Sequence, residues 1–271
     1  MDIKYFFDNE TATFTYVVSD PKTKICAVID PVLNFELSSN SLSTGALDKI
    51  ERYLNANQLQ LEWILETHVH ADHLTGAKRL QEKLGGRLGI SNQITKVQSH
   101  WAPEFPETLH MPTDGSQFDT LFADNDHFSI GELNVAVMHT PGHTPACSSY
   151  LINDTVFVGD TIFMPYVGTA RTDFPGGSAA TLYDSIQRLL SLPSSTKIYV
   201  GHDYPEKNNQ PKCLTTVQEQ QDNNVMINKH VNKETFVEKR NTKDKNKQPP
   251  KLLLPALQAN ICAGQVNHQH T

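Results

Sequence analysis

Thr67-His68-Val69-His70-Ala71-Asp72-His73 places three imidazoles and a carboxylate within six positions, directly after the apolar run Trp63-Ile64-Leu65. A strand ending in such a turn gathers nitrogen and oxygen donors at a spacing where they converge on one metal ion or two. A histidine-rich solvated turn is the alternative. The chain holds only 12 histidines in 271 residues, however, and packing poorly explains three of them in one turn. Donors elsewhere in the chain decide between the two.

Working outward, Leu47, Ile50, Tyr53 and Leu54 predict a helix over 46–55, with Ser43 or Thr44 as its cap. After the turn, Leu74, Ala77, Leu80 and Leu84 form a second helical stripe, and Gly85-Gly86 supplies a left-handed stop. Upstream, Thr13-Phe14-Thr15-Tyr16-Val17-Val18 and Ile25-Cys26-Ala27-Val28-Ile29 read as an antiparallel pair about Asp20-Pro21, closed by Asp30-Pro31. Strand, helix, strand, helix is the rhythm of an α/β layer structure. Residues 101–125, with Pro103, Pro106 and Pro112, read as a long surface excursion of the kind that borders binding sites.

Farther along, apolar runs at 133–137, 155–158 and 197–200 end at His139-Thr140-Pro141-Gly142-His143, Gly159-Asp160 and Gly201-His202-Asp203, with a hairpin signature at Asn153-Asp154 and a helix over 179–190. Four strands thus end at metal-capable residues, His68, His143, Asp160 and His202. Their donors converge if the strand ends share one rim.

Composition narrows the classes. A formal charge of −7 argues against nucleic acid as a partner. No apolar run approaches the length of a membrane span, so no membrane role is expected. No export signal is visible at Met1-Asp2-Ile3-Lys4-Tyr5, and Cys26, Cys147, Cys213 and Cys262 lack Cys-x-x-Cys spacing, so the default compartment is the cytoplasm. Cys147 reads as a small buried strand residue rather than a nucleophile. Residues 229–251 carry +5 against −12 for the rest, which is read as a solvated helix face in preference to an anion-binding one. Residues 252–257 return an apolar edge to the core, and 265–271 read as a flexible tail.

His-x-His-x-Asp-His at 68–73, Thr-Pro-Gly-His ending at 143, Gly-Asp ending at 160 and Gly-His ending at 202 resemble, in order, the motifs of the metallo-β-lactamase superfamily. The resemblance spans roughly 10–205. It implies an α/β fold, an αββα sandwich with the metal site at one rim, with residues 1–210 as the catalytic domain and 211–264 as a C-terminal helical extension packed on it. Within the superfamily, the stretches 139–147, 168–177 and 254–260 are most similar to bacterial glutathione-dependent persulfide dioxygenases, with glyoxalase II as the nearest hydrolase relative.

That resemblance implies one Fe(II) held by His68, His143 and Asp160, with His70, Asp72, His73 and His202 orienting the ligands and substrate. The same donors serve two Zn ions in the hydrolase alternative. It also implies glutathione persulfide and O₂ as substrates and Arg171 as the residue that pairs with a glutathione carboxylate. An ion pair of Arg171 with Asp173 is the competing reading. Any sulfur-transfer partner is expected to be a separate chain, and a homodimer stays open as an assembly.

Overall fold

The structure is a computed structural model describing residues 1–205 and 209–265, so all but Gln265 of the expected tail over 265–271 lies outside the described residues. The first half runs β1 (Asp2–Asp8), β2 (Thr13–Ser19), β3 (Ile25–Ile29), β4 (Val32–Glu36), β5 (Ser41–Ser43), α1 (Gly45–Ala56) and β6 (Gln60–Leu65). It continues through β7 (Leu74–Thr75), α2 (Ala77–Leu84), β8 (Arg87–Ser91), α3 (Ile94–Trp101) and β9 (Thr120–Phe122). The second half is β10 (His127–Ile130), β11 (Leu133–His139), β12 (Ser148–Ile152), β13 (Thr155–Phe157), α4 (Ala179–Leu190), β14 (Lys197–Tyr199), β15 (Leu214–Thr216), α5 (Val217–Asn223), α6 (Lys233–Asp244) and α7 (Leu253–Asn260).

Two six-stranded sheets, ordered β1-β2-β3-β6-β8-β9 and β10-β11-β12-β13-β14-β15, face each other. The period-two alternation of each strand sorts its side chains between layers. Phe14, Tyr16, Ala27, Ile29 and Leu65 from the first sheet meet Val135, Val137, Tyr150 and Phe157 from the second in one inter-sheet core. The opposite face of the first sheet, through Val17, Val28 and Ile64, packs on Leu47, Ile50, Leu80 and Leu257 of its covering helices. That of the second, through Val156 and Ile198, packs on Leu182, Ile186 and Phe236. The result is the expected αββα sandwich.

Where β3 meets β6 the register shifts, Cys26 opposing Leu61 and Ala27 opposing Trp63. This bulge is why Leu61 and Trp63, two apart, join different cores. The expected excursion over 101–125 contains β9, which pairs in parallel with β8 at the sheet edge. Proline density hid three strand residues flanked by turns. Residues beyond 210 are woven into the sandwich: β15 extends the second sheet beside β14, and Asn260 of α7 accepts the Thr75 N–H at 2.8 Å.

Strand direction brings the site together. β11 and β13 both run antiparallel to β12, and β14 runs parallel to β13, so all three end at one rim. Phe157 and Tyr199 are register partners, so Asp160 and His202 stand side by side three residues farther on. The loop after β6 is drawn to the same rim by Ser148 N–H donating to Thr67 O at 2.8 Å and Tyr150 Oη–H donating to Glu66 O at 2.8 Å.

Candidate metal centre

The five imidazoles at this rim are each fixed by an outward hydrogen bond that also fixes the tautomer. His143 Nδ1 faces Arg171 O at 2.8 Å, His73 Nδ1 faces Leu74 O at 3.1 Å and His202 Nδ1 faces Ala12 O at 3.1 Å. Carbonyls only accept, so each Nδ1 carries a proton, and each Nε2 has a lone pair whenever its ring is neutral. Thr67 Oγ1 spends its hydrogen on Asp30 Oδ2 at 2.8 Å, so His68 Nδ1, 3.0 Å away, donates to it and its Nε2 is the free donor atom. His70 is turned the other way: its Nε2–H lies 3.1 Å from both Asp30 Oδ1 and Glu66 Oε2.

The inward atoms have nothing to bond. Among the described residues, His68 Nε2, His70 Nδ1, His73 Nε2 and Asp160 Oδ1 are four of the five buried side-chain nitrogen or oxygen atoms without a hydrogen-bond partner. Buried orphans of this kind are costly, and clustering them is explained by a ligand they share. Asp160 Oδ2 stands 3.8 Å from His68 Nε2 and 3.7 Å from His143 Nε2, near the roughly 3–4 Å that separates donors each about 2.1 Å from one ion. Asp160 Oδ1 lies 3.4 Å from His202 Nε2, which is 3.3 Å from Asp72 Oδ2. The donor set therefore fits a metal ion.

His68, His143 and Asp160 form one candidate metal group, and His70, Asp72 and His73 another. All seven residues singled out from the sequence meet at this rim.

Electrostatics prepare the donors. Burial and the neighbouring imidazoles push His68 well below the usual histidine range, and burial with nearby His70 takes His73 down to about 4. Both are neutral, as metal ligation requires. Burial opposes ionisation of His70, but Asp30 and Glu66 outweigh it and raise the pKa well above the ordinary value. Burial likewise opposes charging His202, and Asp160 and Asp72 raise it.

Three supporting residues were not singled out from the sequence as part of the site. Asp30, at a left-handed φ of 51°, accepts the Thr67 N–H at 2.7 Å as well as bonding Thr67 Oγ1 and His70. Glu66 sits on the other side of His70. Asn260 Nδ2 donates to the carbonyls of His70 and His73, each at 2.8 Å, so α7 buttresses the histidine turn. Asn260→Ala strands those two carbonyls and the Thr75 N–H together. Loss of about 3 kcal/mol or more is expected in denaturant unfolding of the metal-free protein. Behind Asp160, a Cβ on Gly201 would stand 2.7 Å from Asp160 Oδ1 and 2.9 Å from Gly159 backbone, so only glycine admits the carboxylate there.

Asp72, His143 and Asp160 reach the floor of a cavity of about 620 Å³. Phe163, Val167 and Phe174 give it an apolar side, and Tyr204, stacked on the His202 ring at 5.9 Å, stands beside them. One wall is cationic, with Arg171, Arg240, Lys243, Lys247 and Lys251, while Glu10 and Glu36 lie elsewhere in the lining. Three lysines of the basic segment, Lys243, Lys247 and Lys251, line the cavity while staying exposed, so the solvated face expected there also forms a cavity wall; Arg240 and Asp244 are the charged residues of the segment that are buried. Lys229 and Lys233 do pair with Asp222 and Asp184 at the surface.

Arg171 lies in the wall, but Asp173 holds its fork through Nε at 2.6 Å and a second nitrogen at 2.7 Å, while its third nitrogen donates to Gln248 O at 2.8 Å. The ion pair with Asp173 is therefore the contact present. Cys147 is buried and its thiol is pushed up to about 12 by burial, as expected of a packed strand residue.

The metallo-beta-lactamase superfamily model matches residues 8–202. "Glyoxylase B2" of Dictyostelium discoideum is 47% identical over 97% of this chain and 91% of its own length. A "Beta-lactamase hydrolase-like protein" of Xylella fastidiosa is 46% identical over 96% of this chain, which spans 60% of that relative's length. Human "Persulfide dioxygenase ETHE1, mitochondrial" is 30% identical over 74% of this chain and 68% of its own. Among solved structures, ETHE1 from Myxococcus xanthus superposes with a TM-score of 0.79 at 31% identity, covering 98% of this chain and all of that one. With the sandwich, the rim of histidines and the matched sequence model in agreement, the chain belongs to the metallo-beta-lactamase superfamily and lies close to the ETHE1 proteins within it.

Proposed function

We propose that the chain is an Fe(II)-dependent persulfide dioxygenase that converts glutathione persulfide, O₂ and water to glutathione, sulfite and two protons. The observation that carries this reading is the group His68, His143 and Asp160, of which His143 and Asp160 line the cavity floor. Two imidazoles and one carboxylate are the ligand set of non-haem Fe(II) oxygenases. Such an iron, when bound, supplies the four-electron redox chemistry between the outer sulfur and O₂. Similarity to the ETHE1 proteins supports the same reading.

The chain's own residues supply binding and orientation. Arg171 O fixes the tautomer of His143, and Phe163 and Phe174 give the cavity beside the floor an apolar side. Glutathione carries two carboxylates, for which the cationic wall is suited. Because Asp173 occupies the Arg171 fork, carboxylate capture falls chiefly to Lys243, Lys247 and Lys251, which make no ion pair among the described residues. The double variant Lys243→Glu/Lys247→Glu is expected to raise KM for the persulfide about 5- to 10-fold with kcat nearly unchanged.

The pH dependence follows. Desolvation and nearby Arg240 hold the Lys247 ammonium below the usual lysine value. The protonated form attracts carboxylates, so its contribution is present below that pKa and lost as pH rises through it. KM is expected to climb on the alkaline side, earlier than an ordinary lysine would allow, in steady-state assays across pH; a flat KM there counts against this role.

A second reading, a two-zinc thioester or lactone hydrolase, is favoured by Asp160 Oδ1 standing beside His202 and Asp72 and by the hydrolase-like names of similar proteins. Iron-loaded protein should consume O₂ and form sulfite with glutathione persulfide, and should leave a glutathione thioester intact. Thioester cleavage without O₂ uptake would replace the dioxygenase reading with the hydrolase.

A further inference from the structure

Helix α6, in the C-terminal part of the chain, presents a buried stripe of Phe236, Arg240 and Asp244, and a charged pair buried where the helix packs on the loop at 169–172 is an unusual choice. Arg240 is fully buried. Its Nε donates to Asp244 Oδ2 at 2.9 Å, a second nitrogen donates to Oδ1, and its third donates to Thr169 O at 3.0 Å. Asp244 Oδ2 also accepts the Thr172 N–H at 2.9 Å and the Thr172 hydroxyl at 3.3 Å. A buried ion pair is seldom a better stabiliser than apolar residues of the same size, so its placement calls for another role.

That role is visible in one peptide group. The amide whose N–H bonds Asp244 is the Arg171–Thr172 amide, and its carbonyl is the acceptor that His143 Nδ1 uses at 2.8 Å. No cis peptide occurs among the described residues, so this N–H and C=O lie in the amide plane and point in opposite directions. A carboxylate on the N–H polarises the amide and makes its oxygen a stronger acceptor. A stronger acceptor on Nδ1–H fixes the ring plane and makes Nε2 more basic toward a metal. The outward nitrogen of His70 meets carboxylates directly, whereas that of His143 reaches one only across a peptide.

We infer that Asp244, held by Arg240, is a positioning residue that orients His143 and raises its basicity as a ligand through the Arg171–Thr172 peptide. The pair lies beyond residue 202, where the family match ends, and so adds a control from the C-terminal helix. The inference rests on His143 being a metal ligand but is independent of whether the reaction is oxygenation or hydrolysis.

The test uses the full chain and Co(II) as probe. Arg240→Met/Asp244→Leu removes both charges together, leaving neither buried alone. Relative to the unaltered protein, its Co(II) dissociation constant, measured by chelator competition, should weaken about 10- to 100-fold, and its visible ligand-field bands should shift, while melting of the metal-free protein changes little. Asp244→Asn, which keeps an acceptor for Thr172 and loses the charge, should fall between the two. Unchanged Co(II) affinity and bands in Asp244→Asn and the double variant overturn the inference, even if melting drops. If the double variant does not fold, Asp244→Asn decides alone by the same two readouts. Failure of the dioxygenase reading would appear instead as absent O₂ uptake by the unaltered iron protein, with the Co(II) differences intact.

Discussion

Asp160→Asn is expected to lower turnover about 10³-fold or more, because a bound metal contributes several kcal/mol to the reaction barrier and this side chain is the carboxylate of its ligand set. The two oxygens of Asp160 face different donors, Oδ2 toward His68 and His143 and Oδ1 toward His202, which in turn adjoins Asp72. An amide keeps the size but removes the charge that offsets a cation among buried imidazoles. Metal content per chain, measured on the purified variant, should fall with activity, while the fold is retained because the removed charge was itself poorly partnered in the metal-free protein. Full activity in Asp160→Asn would exclude Asp160 as a ligand.

Arg240→Met should have the largest effect on stability. It leaves Asp244 charged and 95% enclosed with only the Thr172 donors, and breaking a buried pair from one side costs about 3–5 kcal/mol. For a chain of this size that corresponds to a fall in melting temperature on the order of 10 °C. Removing both charges should recover most of the loss, since apolar replacement of a whole buried pair is nearly neutral. A loss below about 1 kcal/mol for Arg240→Met alone would mean that Asp244 finds water or is protonated there.

The histidine turn was legible because its donors are neighbours in sequence and follow an apolar strand. His143, Asp160 and His202 were legible by the same rule, each standing shortly past a strand end, and strand direction then placed them at one rim. What sequence hid was support from afar. Asp30 meets His70 across 40 positions and Asn260 meets the same turn across 190, with no periodicity to mark either.

The basic segment was legible as a largely exposed charged face, but the buried pair within it was not, for a related reason. The buried stripe of α6 runs Phe236, Arg240, Asp244, at helical spacing but two-thirds charged, so apolar periodicity does not reveal which face is buried. Once that stripe is inward, Lys243 and Lys247 fall beside the cavity. β1 escaped because its alternation is blurred, with Lys4 and Tyr5 both exposed on an edge strand. Arg171 stood in the expected loop, yet sequence could not tell whether a free carboxylate or Asp173 filled its fork.

Elemental analysis of protein purified without oxygen bears most directly on the metal centre. One iron per chain, lost together with O₂ uptake on chelation and restored by Fe(II), is the expected result. Two zinc ions per chain, with no activity gained on replacing them by iron, would contradict it.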